Sequence, residues 1–225
     1  MIERGFVWIG GALFAAALAF CAYSFLVTWS RSAPAVDFAA VATDLLLFTI
    51  FAAHHSVLAR ERVKRRLAAL VSDRLIRSTY VWTASLLLIA VCAMWRPIGG
   101  DLFAVDGWRA IAAASVQLIG IGLIAGAVAR IDPLELAGIR AAPRTEPLET
   151  GGPYRLVRHP VYLGWMLAAF GAGHMTGDRL AFAAVSSLYL LVAIPWEERS
   201  LMRAFPDEYE AYKARVRWRV VPFVF

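Results

Sequence analysis

The stretch Gly151-Gly152-Pro153-Tyr154-Arg155-Leu156-Val157-Arg158-His159-Pro160-Val161-Tyr162-Leu163-Gly164 carries a polar connection into an apolar run. Pro160 lacks the N–H that a helix interior needs but suits a first helical position, and it pushes His159 toward extended backbone. The stretch therefore predicts a helix starting at Pro160. Arg158 and His159 then lie at a positively polarised helix start, where free N–H groups, the helix dipole and a guanidinium converge on a carboxylate or phosphate. Gly164, one turn on, permits close backbone approach. About forty residues later an apolar run reaches Pro195, and Trp196-Glu197-Glu198-Arg199 follows. A basic and an acidic cluster capping two neighbouring apolar helices can hold a ligand that carries both charges. Adjacent helical residues diverge by about 100°, so one of Glu197 and Glu198 faces such a ligand while the other pairs with a nearby arginine.

Working outward, the 225 residues are 60% hydrophobic with mean hydropathy +0.61. That composition predicts an all-α polytopic membrane protein. The pattern gives five to six transmembrane helices, with a C-terminal helical hairpin and an amphipathic tail. Apolar segments run from about Gly5 to Trp29, Val36 to Leu58, Ser78 to Met94 and Trp108 to Val128. A shorter pair, Pro160 to Gly173 and Leu180 to Ile194, turns at Gly173 to Gly177. Beyond Pro195 the final helix continues into the stripe Leu201, Met202, Phe205, Tyr209, Tyr212 and Val216, which lies at the interface or closes over a site. Arg130 to Arg158 is too long for an idle loop. The whole of 1–225 reads as one membrane domain, with N-terminal spans over 1–129 and a cofactor-binding region over 130–225.

Net charge is +6, yet no basic stripe interleaves with aromatics, so nucleic acid is not an expected partner. The lysines and arginines segregate instead. With the N-terminus inside, nineteen fall on inner segments and four, Arg31, Arg96, Arg109 and Arg179, on outer ones. This predicts an integral membrane protein with both termini cytoplasmic and the lipid bilayer as its partner. Cys21 and Cys92 lie inside apolar runs without ligand spacing, and packing is their expected role. Phe6 to Val27 is longer than a signal-peptide core and is read as a span. His54 and His55 diverge on a helix with no third ligand in register, so no metal is expected. His55 is expected to line the substrate entrance, with Asp44 and Gln117 as further intramembrane polar candidates. Gly120 and Gly122 suit either a helix-packing face or a backbone that hugs a cofactor.

Gly152 to Gly164, followed by Glu197-Glu198-Arg199-Ser200-Leu201, Phe205, Tyr209, Tyr212 and Pro222, resembles the integral-membrane methyltransferases typified by isoprenylcysteine carboxyl methyltransferase and the phospholipid methyltransferases. Gly120-Ile121-Gly122 looks like the Gly-x-Gly of the phospholipid branch. His55-Ser56-Val57-Leu58-Ala59-Arg60, Arg77-Ser78-Thr79-Tyr80, Trp95-Arg96-Pro97-Ile98 and Ile131-Asp132-Pro133-Leu134-Glu135-Leu136-Ala137-Gly138 resemble the bacterial methanethiol S-methyltransferases and related NnrU-type membrane proteins.

The resemblance implies S-adenosyl-L-methionine as methyl donor, held without a metal, and a small thiol or other lipophilic acceptor. It implies Arg158, His159 and Tyr162 as the catalytic group. Arg158 and the helix start are expected to bind the methionyl carboxylate, and Glu197 or Glu198 the ammonium or ribose hydroxyls. His159 and Tyr162 are expected to shape the adenosine and sulfonium region. Tyr154, Gly164, Gly120 and Gly122 complete the cofactor set. Arg155, or Arg158, is expected to lower the pKa of a thiol acceptor. The acceptor stays open among a thiol, an isoprenylcysteine carboxylate and a lipid amine. The connection from Ala141 to Thr150 is shorter than in the thiol enzymes. Competing readings are an NADPH-dependent sterol-type reductase and a non-enzymatic membrane subunit, which binding of S-adenosylmethionine against NADPH separates.

Overall fold

In the computed structural model residues 2–32, 36–58, 63, 73–140 and 147–225 are described. Among them the helices are α1 (Ile2–Tyr23), prolonged by a π-helical turn over Ser24–Thr28, α2 (Phe38–Leu58), α3 (Asp73–Met94), α4 (Gly107–Val128), α5 (Pro133–Leu136), α6 (Pro160–Phe170), α7 (Gly177–Ala204) and α8 (Pro206–Arg215). Strands β1 (Asp101–Ala104) and β2 (His174–Thr176) pair in a two-stranded sheet that the apolar pattern does not signal. Five helices, α1 with its π turn, α2, α3, α4 and α7, are long and apolar enough to cross a membrane. The protein is an integral membrane protein. At eleven residues α6 is about 16 Å long, half a bilayer core. Most of the basic stretch after Leu58, with Ala59 and Arg60, and the first part of the Ala141–Thr150 connection lie outside the described residues.

The chain divides into two units. The first comprises Met1–Leu102, Pro133–Pro143 and Thr176–Ala181. In it α1 and α3 run side by side. Phe6 stacks on Trp82 at 5.5 Å, and the Trp82 indole donates to the Phe6 carbonyl at 3.0 Å. Gly10 makes the approach, since a Cβ there would sit 2.6 Å from the Trp82 ring nitrogen. Further along the same seam Cys21 and Cys92 are buried free thiols, and Trp29 meets Trp95 at 4.7 Å. Asp178, in the first turn of α7, accepts hydrogen bonds from the Trp95 indole (2.8 Å) and the Ile98 amide (2.9 Å). Buried Asp44 accepts the Arg96 amide at 3.0 Å. Buried amides need acceptors, and the two carboxylates supply them.

The second unit comprises Phe103–Asp132, Arg144–Met175 and Phe182–Phe225. α4 crosses α6 at Gly120 and Gly164, and Gln117 donates to the Ala168 carbonyl at 2.9 Å beside the crossing. Trp165 of α6 reaches Ser186 of α7 at 2.9 Å, closing the hairpin. α7 runs through Pro195 to Ala204, and Phe205 then breaks it ahead of Pro206, the first residue of α8. The tail stripe folds inward. Tyr209, Tyr212 and Val216 form a buried cluster with Leu148, Tyr154, Leu201, Met202 and Phe205.

Candidate active site

The site is built where three pieces of the second unit meet: the entry to α6, the last turns of α7 and the segment after α8. Gly152, with φ +52°, opens a 3₁₀ turn over Gly152–Arg155, a backbone conformation suited to glycine. Glu149 braces it, accepting the Gly151 amide at 2.5 Å and Arg130 at 3.1 Å. Burial alone would raise this acid, but the amide and Arg130 hold it below the ordinary glutamate value. The chain then extends. The Arg158 amide donates to the Trp218 carbonyl at 2.9 Å and the His159 amide to the Arg219 carbonyl at 2.8 Å. Pro160 begins α6, as its chemistry requires.

The expected cradle of free N–H groups at that helix start is largely filled. The His159 carbonyl accepts from Tyr162 (3.0 Å) and Leu163 (3.2 Å), the His159 amide is taken by Arg219, and Pro160 has none. The Arg158 side chain is also engaged. Its Nε donates to Glu198 Oε1 at 2.8 Å, and its Nη1 to the carbonyls of Val216 and Arg217, each at 3.0 Å.

Glu198 is the hub of a charged cluster. Besides Arg158 it meets Arg219 Nη2 at 3.3 Å through Oε2 and His159 Nε2 at 3.5 Å through Oε1. Glu197 points elsewhere, as the helical rotation demands. Its Oε2 accepts the Tyr162 hydroxyl at 2.6 Å and lies 3.5 Å from His159 Nδ1. His159 thus sits between the two acids with its ring stacked on Tyr162 at 5.2 Å. The side chains of Arg158 and Glu198 are 8% and 11% exposed, whereas Glu197 is 46% exposed. One acid is locked inside the cluster and the other faces outward.

The model of the phospholipid methyltransferase family matches residues 108–208, a range that holds α4, α6, α7 and every member of this cluster except Arg219. Methanethiol S-methyltransferase 1 of Bradyrhizobium diazoefficiens is 39% identical over 186 residues, covering 79% of this chain and 65% of the relative, just under two thirds of its length. Methanethiol S-methyltransferase 2 of the same organism is 34% identical over 194 residues, covering 83% and 74%. The methanethiol S-methyltransferase of Mycobacterium tuberculosis is 34% identical over 186 residues, covering 79% and 76%. The chain belongs to this family of membrane methyltransferases. No solved structure matches it significantly.

In this family member the electrostatics of the site follow from its packing. Burial disfavours the His159 imidazolium, but the facing carboxylates of Glu197 and Glu198 outweigh it and hold His159 above the ordinary histidine value. Burial, aided by Glu197 and Glu149, pushes the Tyr154 phenol up to about 12. Burial raises Tyr209 and Tyr212 as well. These phenols stay protonated at neutral pH, and Tyr212 donates to the Tyr154 carbonyl at 2.8 Å.

The structure therefore gathers Arg158, His159, Tyr162, Glu197 and Glu198 into one cluster, with Tyr154 in the adjoining aromatic layer. Gly120 and Gly164 meet each other, a Cβ on either falling within about 2.6 Å of the partner's carbonyl oxygen. Their missing side chains serve the helix crossing. Gly122 faces open space, and Arg155 is exposed on the 3₁₀ turn. His55 belongs to the first unit, where Tyr80 Oη lies 2.7 Å from its Nδ1 and His54 stacks on Tyr80 at 6.2 Å.

The opening motifs did not signal the segment Val216–Val220. Its mark is an alternation, Val-Arg-Trp-Arg-Val, in which Val216 and Val220 are buried. That period of two reads as an extended strap with one face inward.

Proposed function

We propose that this protein transfers a methyl group from S-adenosyl-L-methionine to a small thiol of the methanethiol type. The observation that carries the reading is the cluster: a half-exposed acid, Glu197, beside a buried Arg158–Glu198 pair and a histidine held between two carboxylates. A zwitterionic ligand suits it. Glu197 is placed to accept an ammonium or ribose hydroxyls, and Tyr162, backed by the stacked ring of buried His159, offers a ring face to an adenosine. Arg158, held against Glu198 at 2.8 Å, is proposed to meet the methionyl carboxylate. When bound, S-adenosylmethionine supplies an electrophilic methyl on a sulfonium, and displacement there needs no metal.

The protein's part is to orient donor and acceptor and to exclude water. A thiol acceptor sheds its proton to solvent water, its thiolate attacks the methyl carbon, and the donor sulfur leaves as a thioether with the electrons of the broken C–S bond; Arg158 and exposed Arg155 favour the thiolate electrostatically. The names of the methanethiol S-methyltransferase relatives favour the thiol over a carboxylate or lipid amine. The domain is proposed to comprise 1–225, with 130–225 supplying the donor site and Gly120 of 1–129 holding α4 against α6 at the crossing with Gly164. His55, beside Tyr80, is proposed to line the acceptor's route from lipid. The charge bias supports an inner-membrane placement with both termini cytoplasmic.

The test uses detergent-purified protein. Labelled S-adenosylmethionine is offered with methanethiol, an isoprenylcysteine and an aminophospholipid, and donor binding is compared with NADPH. Label transferred to the thiol supports the reading. Binding of NADPH without S-adenosylmethionine refutes it.

A further inference from the structure

Glu198 has a cationic neighbour at each oxygen. Arg158 donates to Oε1 at 2.8 Å with His159 Nε2 3.5 Å from the same oxygen, whereas Arg219 Nη2 lies 3.3 Å from Oε2; Arg219 is on the strap after α8, outside the region matched by the family model. The same residue acts twice, because the Arg219 carbonyl also accepts the His159 amide at 2.8 Å. Its backbone is held independently of its charge. Val220 is fully buried with Val157, Leu163 and Ile194, and the Val220 amide donates to the Phe225 carbonyl at 2.8 Å. The Arg219 guanidinium in turn lies 5.2 Å over the Phe225 ring.

A carboxylate gripped at one oxygen still turns about its final bond. Gripped at both, its plane is fixed, and so are the donors aligned on it. The Arg219 side chain is 37% exposed, so its attraction to Glu198 is a weak source of stability. A modest attraction still biases the orientation of Glu198, because that carboxylate and the Arg158 and His159 side chains beside it are buried.

We propose that Arg219 is a positioning residue of the donor site, fixing the Glu198 carboxylate so that Arg158 and His159 present one arrangement to the methyl donor. The proposal rests on the donor-site reading above. It assigns to the strap a part in donor affinity, with no contact to the reacting atoms.

The experiment compares wild type with Arg219→Ala, Arg219→Lys and Arg219→Gln in purified full-length protein. It measures S-adenosylmethionine binding, donor KM, kcat with methanethiol and thermal unfolding. Arg219→Ala is expected to raise the donor Kd and KM about two- to fivefold, as loss of one partly screened ion pair would. kcat and the unfolding midpoint should stay near wild type. Arg219→Lys restores the charge without the fork and should recover part of the loss. Arg219→Gln keeps the stem and backbone carbonyl without the charge, and takes the place of Arg219→Ala if that variant does not fold. Unchanged donor KM in the neutral variants overturns the proposal. So does a lysine variant as weak as alanine with an equally lowered unfolding midpoint, the mark of a purely structural part. Wild type that binds no S-adenosylmethionine overturns the donor-site reading itself, and the proposal with it.

Discussion

Replacing Gly120 by alanine tests how the site's scaffold is held. A Cβ at Gly120 would stand 2.5 Å from the Gly164 carbonyl oxygen, 2.5 Å from the Ala168 nitrogen and 3.0 Å from the Leu167 Cβ. Two of those neighbours are backbone and cannot rotate aside. Ordinary contact begins at 3.4 Å, so α4 and α6 must part by about 0.9 Å at the crossing. A gap of that size forfeits a quarter to a half of each dispersion contact along the seam, and overpacking of this kind costs about 1–3 kcal/mol. For a chain of this length the unfolding midpoint should fall by about 2–12 °C, read by circular dichroism in detergent. Tyr162 lies on α6 half a turn before Gly164, so donor binding should weaken as well. Gly122, two residues away, supplies the control. A Cβ there meets nothing within 4 Å, and relief of a helix-interior glycine should stabilise by about 0.5–1 kcal/mol. Equal midpoints for wild type and Gly120→Ala, or equal losses for both variants, would refute the crossing as the reason for these glycines.

Glu198→Gln keeps the shape but removes the charge that Arg158, Arg219 and His159 share; donor affinity should drop by about 1.5–3 kcal/mol, measured by equilibrium binding. His159 is raised in the folded state, so its contribution is fully present below the ordinary histidine value of about 6.5 and is lost as pH climbs through the raised value. Unfolding midpoints taken across that range should fall more for wild type than for His159→Gln, and parallel curves would contradict the assignment. Asp178→Ala orphans the Trp95 indole and the Ile98 amide and should lower stability by about 1–3 kcal/mol, seen as a lower midpoint with donor affinity retained.

The spans were legible because each is an uninterrupted apolar run of a length set by the bilayer, and this signal survives whatever the helices pack against. α6 was legible from Pro160 alone. The pairing of one acid with arginine while the other faces outward followed from helical rotation at Glu197 and Glu198. β1 and β2 were not legible, since three or four residues carry too little period to stand out beside long apolar helices. Nor was the double meaning of Gly120 resolvable: a close helix crossing and a close cofactor both demand a missing side chain, and only coordinates show Gly164 opposite it.

The direction of Arg158 was the harder matter. Local chemistry placed a guanidinium at a polarised helix start and assigned it to a ligand's carboxylate. It could not know that residues almost sixty positions on return to fill that start with their own carbonyls. The strap's Val-Arg-Trp-Arg-Val alternation is a strand signal, but an unpaired strand has no partner in the sequence to name. Its partner here is the extended run before Pro160, whose amides at Arg158 and His159 need acceptors that a membrane interface supplies poorly. Once those amides are satisfied by Trp218 and Arg219, the Arg219 side chain falls beside Glu198 and Arg158 is drawn inward with it. The backbone's need for hydrogen bonds thus settled where the charges went, leaving Glu197 as the half-exposed acid of the pair.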